Sequence, residues 1–216
     1  MSLSKTYAVF GLGRYGSAVA KELIKSGAEV MAVDMNEAIV NEMAQEIPLC
    51  RCADVTDPEV IKQLGIDNID VVIIAMASSL EATVMAITLC KEAGVETVIV
   101  KTSNEMQKKI FLRVGADKVV FPENESGIRL AKNLLSSGFV DMVELSKNVS
   151  MVEMPVRTDW VGKNLIELKL RNKYGINIVA TVENDEVSVS FDPSLPLTAK
   201  MKLIVIANRD KLGKLR

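Results

Sequence analysis

Six short aliphatic runs, separated by stretches of helical periodicity, occupy the first two-thirds of the chain, and they constrain the fold more than any other feature. The runs are Tyr7–Phe10, Glu29–Val33, Leu49–Cys52, Val71–Ala75, Val98–Val100 and Lys118–Phe121. Between them, apolar residues recur every three or four positions; from Tyr15 to Ser26, Val19, Leu23 and Ile24 share one face and Gly27 supplies the stop. Strands that read as nearly continuous apolar runs belong to a parallel sheet covered on both faces. The fold class expected is therefore α/β, a Rossmann-type doubly wound parallel sheet.

The pattern changes after Phe121. Pro122-Glu123-Asn124-Glu125-Ser126 puts acids where a helix dipole favours them, predicting a helix from about Ser126 to Ser137 ending at Gly138. Phe139 to Leu145 reads as a short helix or connection. From Val149 the chain turns β-rich, with strands expected at Val149–Pro155, Ile176–Val182, Val187–Ser190 and Leu203–Ala207. A helix is expected over Asn164–Lys173, closed by Gly175. The domains expected are thus 1–138, with a crossover or linker helix to about 148, and a small α+β domain at 149–216.

Composition narrows the chemistry. The chain has no histidine, which removes histidine acid–base catalysis and histidine-ligated metals. Cys50, Cys52 and Cys90 form no C-x-x-C pair, the pattern of reduced thiols in the cytoplasm. A net charge of −2 without a long basic run argues against nucleic acid as a partner. No signal peptide or bilayer-length apolar run is visible, and Met1-Ser2-Leu3 reads as a scar preceding the structured pattern.

The first run leads directly into Gly11-Leu12-Gly13-Arg14-Tyr15-Gly16, which opens the first helix. A G-x-G-x-x-G in this strand-to-helix setting makes a tight turn, lets backbone approach phosphate, and aims helix N–H groups at an anion. Asp34 ends the second run, at the spacing where a carboxylate accepts both ribose hydroxyls and repels a 2′-phosphate. Asp54-Val55-Thr56 follows the third run, where the adenine lies. Asp54 reads either as a base contact or as a helix cap, and Asp57 as the cap of a helix from Pro58. Met35, Ala75, Met76 and Ala77, at the ends of the second and fourth runs, complete the expected nucleotide-contacting set.

Three charged residues carry open alternatives. Arg14 either reaches a phosphate, best a terminal one, or is solvated in the first helical turn. Lys101, ending the fifth run, either contacts phosphate or faces solvent. Glu123 either ligates a divalent cation bridging phosphates or caps its helix. A hydride-transfer enzyme would need an acid–base group, and none of Tyr7, Tyr15 and Tyr174 forms a Tyr-x-x-x-Lys pair. The chain reads as a non-enzyme; the alternatives are an NAD(P)-dependent oxidoreductase and a nucleotide sensor attached to no transporter.

These residues carry a family likeness. Ala8 to Gly16, Ala32 to Asn36, Ala53 to Thr56, Val100-Lys101, Val114 to Val119 with Phe121-Pro122-Glu123, and Leu170 to Ile178 resemble the regulatory RCK (TrkA-type) subunits of bacterial Trk and Ktr potassium-uptake systems. The resemblance covers close to the whole chain. It implies a cytoplasmic gating ring at the inner face of the membrane. Dimers of this chain would assemble into an octamer under a membrane K⁺ transporter, alone or with a second RCK chain. It implies ATP or ADP, and in some members NAD(H), in the Rossmann site. It also assigns Arg14 to a terminal phosphate and Glu123 to a divalent cation (Mg²⁺ or Ca²⁺) between nucleotides. For the second domain it implies cyclic di-AMP, at positions matching Arg171 and Asn177. Ala199-Lys200-Met201-Lys202 replaces the Gly-Asp turn that the family often places before its last strand.

Overall fold

The computed structural model describes residues 5–76, 79–135 and 141–212. The chain divides into two compact units, Met1–Glu125 and Ser126–Arg216.

In the first unit the apolar runs become β1 (Thr6–Phe10), β2 (Glu29–Asp34), β3 (Leu49–Cys52), β4 (Val71–Ile74), β5 (Thr97–Lys101) and β6 (Lys118–Val120). They alternate with α1 (Arg14–Lys25), α2 (Glu37–Met43), α3 (Pro58–Gln63), α4 (Leu80–Glu92) and α5 (Glu105–Val114), and α6 (Pro122–Leu135) starts in this unit and continues into the second. All strand pairs are parallel, in the order β3-β2-β1-β4-β5-β6, as the apolar runs predict for a doubly wound sheet. Every residue of β4 is buried, because helices cover both faces of the sheet centre. Phe10, Ile74, Ile87 and Phe111 pack one face, while Val9, Ala20, Ile47 and Ile73 pack the other. Each of these side chains other than Ala20 contributes about 1.5–3 kcal/mol on burial.

Helix starts follow local chemistry. The side chains of Asn36, Asp57, Ser79 and Asn104 accept from backbone amides of α2, α3, α4 and α5 respectively. The start of α6 corrects the sequence expectation, since it begins at Pro122 and not near Ser126. Proline suits the first helical position, where no intrahelical donor is needed, and Glu123 and Glu125 complement the dipole in the first turn. The expected stop at Ser137-Gly138 lies outside the described residues.

The second unit holds β7 (Asp141–Glu144), β8 (Val149–Pro155), α7 (Leu165–Leu168), α8 (Leu170–Tyr174), β9 (Ile176–Glu183), β10 (Glu186–Ser188), β11 (Lys202–Asn208) and α9 (Arg209–Leu212). Its five-stranded sheet has the order β10-β9-β11-β8-β7, antiparallel throughout. Trp160, Leu168, Leu170, Leu203 and Val205 form its core, with the Tyr174 ring 5.7 Å from that of Trp160. Two expectations are corrected here. Asp141–Glu144 is an edge strand paired with β8, not a helix or connection; Phe139 and Val140 lie outside the described residues. The helix expected over Asn164–Lys173 is broken at Lys169, which adopts φ 48°, ψ 44° and divides it into α7 and α8. The β9–β10 hairpin turns through Asn184 and Asp185, at φ 50° and 63°, the left-handed pair that a two-residue turn requires.

Candidate functional site

Strand order reverses between β1 and β4, and the crevice outside their carboxyl ends is where open α/β sheets bind ligands. A cleft of about 470 Å³ lies there. Gly11, Gly13, Asp34, Met35, Val55, Ala75 and Met76 line it, and Val33, Ile39 and Ala53 complete its apolar wall. These last three escaped the sequence reading. Ile39 follows the Asn36 cap by one helical turn of α2, which places it over the second strand; that spacing was the available signal.

The glycine loop is held by backbone contacts. The Gly11 amide donates to the Val33 carbonyl at 2.8 Å and Ala75 N to the Phe10 carbonyl at 2.7 Å. Gly11 sits at φ +89°, where a Cβ would come within 2.8 Å of Met76 N, and a Cβ on Gly16 would run into the Gly11 carbonyl oxygen. Gly13 differs: nothing lies within 4 Å of its Cβ position, so the fold has no need of a glycine there. Its empty Cβ position, at the N-cap of α1 and on the cleft lining, is a cradle that a phosphate group fits.

Asp34 closes the loop from the other side. Its Oδ2 accepts from Leu12 N at 2.6 Å and its Oδ1 from Asn36 N at 2.9 Å. The carboxylate is thereby oriented at the cleft rim, each oxygen keeping a lone pair for a hydroxyl donor. Leu12 itself is buried; its amide, not its side chain, serves the site.

Other expected residues are placed differently. Asp54 is not the cap of α3, a role filled by Asp57, whose Oδ1 accepts from Glu59 N at 2.9 Å. Asp54 instead folds on Thr56, accepting from its amide at 2.9 Å and its hydroxyl at 2.7 Å, and these bonds hold the Asp54 carboxyl below the usual range. Of that segment only Ala53 and Val55 line the cleft. Arg14 opens α1 with its side chain exposed. Ala77 lies outside the described residues.

Lys101 is neither solvated nor aimed at open space. Its side chain is only 18% exposed, its Nζ meets Glu123 Oε1 at 2.7 Å, and it lies 5.9 Å from the centre of the Tyr15 ring. The hydrogen bond from Lys101 lowers the Glu123 carboxyl, while burial, with Glu125 next, raises the Tyr15 phenol. Among the described residues no group of three or more Cys, Asp or Glu side chains is placed to hold a metal ion. Glu123 is already paired with Lys101 within the single chain.

A second cleft of about 300 Å³, in the second unit, brings Arg171 and Asn177 together. Lys169, Asn172, Ile176, Ile178, Phe191 and Pro193 also line it, which the sequence did not single out. The left-handed residue at 169 is what turns the α7–α8 segment around this cleft.

Residues 7–122 match the TrkA-N domain and residues 149–216 the TrkA-C domain. The Ktr system potassium uptake protein C of Bacillus subtilis (strain 168) is 40% identical over 188 residues, covering 87% of this chain and 85% of that protein. The Ktr system potassium uptake protein A of Vibrio alginolyticus is 35% identical over 209 residues, covering 97% and 95%. In fold, the chain is similar to the GsuK channel bound to NAD, with a TM-score of 0.52 at 21% identity. That match covers 98% of this chain and 38% of the channel chain. The chain belongs to the family built from TrkA-N and TrkA-C domains, the family of the Ktr system potassium uptake proteins.

Proposed function

We propose that the chain is a nucleotide-sensing regulatory subunit of a K⁺ uptake system, with the nucleotide in the first-unit cleft. The observation that carries the reading is the pairing of the open Cβ position of Gly13 with an oriented Asp34 carboxylate across one cleft. The first suits a phosphate and the second a ribose, so adenosine nucleotides of the ATP, ADP or NAD(H) kind share the recognition chemistry. Near full-length identity to Ktr potassium uptake proteins supports the coupling to K⁺ transport.

In this reading the membrane part is another chain, a Trk- or Ktr-type transporter, as the similarity to Ktr potassium uptake proteins over most of the chain supports. Copies of this chain pair and close into a ring at the inner face of the membrane, and Arg171 and Asn177 take cyclic di-AMP in the second cleft. Control is a population shift, in which a ligand moves the ring only by binding one arrangement more tightly than another. An oxidoreductase is disfavoured because the chain has no histidine and none of Tyr7, Tyr15 and Tyr174 begins a Tyr-x-x-x-Lys pair.

The test is calorimetry of the purified protein against ATP, ADP, NADH and cyclic di-AMP, with and without Mg²⁺. It is joined to K⁺ uptake by membranes carrying the cognate transporter. Binding of an adenosine nucleotide together with nucleotide-dependent uptake is the expected result. Hydride transfer from NADH to any screened substrate, or uptake indifferent to this chain, would overturn the reading.

A further inference from the structure

We propose that Lys101 is a phosphate-specificity residue held in reserve by Glu123, so that a nucleoside polyphosphate and the first turn of α6 compete for one ammonium group. The inference rests on the nucleotide reading of the first cleft and names the regulation of that site.

Lys101 ends β5 on the carboxyl edge of the sheet, next to β4, whose following residues Ala75 and Met76 line the cleft. Its ammonium lies 5.9 Å from the centre of the Tyr15 ring, two residues beyond Gly13 at the start of α1. The lysine stem is largely buried and so directed, while its partner Glu123 is 61% exposed. That asymmetry decides which bond yields. Releasing Glu123 to water costs little because its carboxylate is already largely hydrated, whereas the lysine stays directed by its buried stem beside the Tyr15 ring. A lysine is a mobile point charge on a flexible stem, and a polyphosphate carries several negative charges against the single one of Glu123.

A triphosphate arriving at Gly13 therefore draws Lys101 from Glu123, a diphosphate does so less, and adenosine does not. The consequence falls on α6, because Glu123 is its second residue and the chain of α6 continues into the second unit. The number of phosphates on the ligand thereby sets whether the start of α6 is tied to the sheet edge.

The experiment is calorimetry of ATP, ADP and adenosine, in EDTA, with the full chain carrying Glu123→Gln, Lys101→Met, Lys101→Arg or Glu123→Gln with Lys101→Met. Freeing the lysine by Glu123→Gln should tighten ATP binding about two- to five-fold, the range of an ion pair with one exposed partner, and leave adenosine unchanged. Lys101→Met should weaken ATP, adding Glu123→Gln to it should change nothing further, and Lys101→Arg should restore the preference for ATP. Equal effects of Glu123→Gln with and without the lysine, or an equal effect on adenosine, would overturn the latch while leaving nucleotide binding standing. Failure of the unmodified protein to bind any of the three overturns the nucleotide reading and the latch with it.

Discussion

The Leu12 amide donates to Asp34 Oδ2 at 2.6 Å, so the carboxylate suited to a ribose is also the brace of the glycine loop. The two roles make a joint prediction. Asp34→Ala leaves the exposed Asn36 amide to water and the partly buried Leu12 amide without its acceptor, the latter at about 1–3 kcal/mol. Thermal melting should show a modest loss of stability, and calorimetry a loss of adenosine-nucleotide affinity of roughly ten-fold or more for the same reason. Unchanged affinity in a folded Asp34→Ala protein would remove the ribose role and leave the structural one.

The glycines separate fold from ligand. Gly16→Ala forces a Cβ onto the Gly11 carbonyl oxygen, and because backbone cannot give way as a side chain does, stability should fall by about 1–3 kcal/mol. Gly13→Ala meets nothing within 4 Å and keeps an ordinary φ of −64°, so its melting temperature should stay near that of the unmodified protein. Its added methyl group instead occupies the space left for phosphate, and nucleotide binding should weaken sharply. A Gly13→Ala protein that binds nucleotide normally would mean the cradle is not where the phosphate sits.

Much of this was legible in the chain because it is local. Aliphatic runs, glycine stops and Asx caps are read within a few residues, and they determine β1 to β6 and their order of alternation. What escaped is set by distant partners. Asp141-Met142-Val143-Glu144 carries too few apolar residues to announce a strand, and becomes one only by pairing with β8. Lys169 interrupts a helical pattern without glycine or proline, so no local residue marks the break. The Lys101–Glu123 pair joins positions whose chain separation gives no periodic signal; read alone, Lys101 is a phosphate-facing or solvated charge and Glu123 a cation ligand or helix cap. Asp34 is expected from the sequence as a ligand residue, yet its bond to Leu12 is visible only in the folded loop.

The cysteines give a prediction in the alkaline range. Burial pushes the Cys90 thiol from 9.0 up to about 12. The folded protein holds this proton more tightly than the unfolded chain, so the stabilisation is complete below pH 9.0 and is lost as pH rises toward about 12. Cys90→Ala should be less stable at pH 7, because it leaves a small cavity, but its stability should fall less steeply above pH 9 in denaturant titrations. Thiol labelling of the native protein should find Cys52, which is exposed, and spare Cys50 and Cys90, which are buried until the protein unfolds. Rapid native labelling of Cys90 would contradict the packing of α4.

Lys169 offers a gain in stability. It joins α7 to α8 at φ 48°, ψ 44°, a conformation that costs a residue with a Cβ roughly 1–2 kcal/mol and costs glycine almost nothing. Its side chain is exposed, so little packing is lost on removing it. Lys169→Gly should therefore raise stability by about 1 kcal/mol, less whatever glycine returns to the unfolded chain as entropy. The same position lines the second cleft, so the substitution also removes one of the two cationic side chains there, the other being Arg171. Denaturant titration and cyclic di-AMP calorimetry on one protein separate the effects. Higher stability with weaker cyclic di-AMP binding would assign the Lys169 charge to the ligand. Higher stability with unchanged binding would leave Arg171 as the anion-binding group. Lower stability would mean that the left-handed turn is held by contacts of the lysine stem and not merely tolerated.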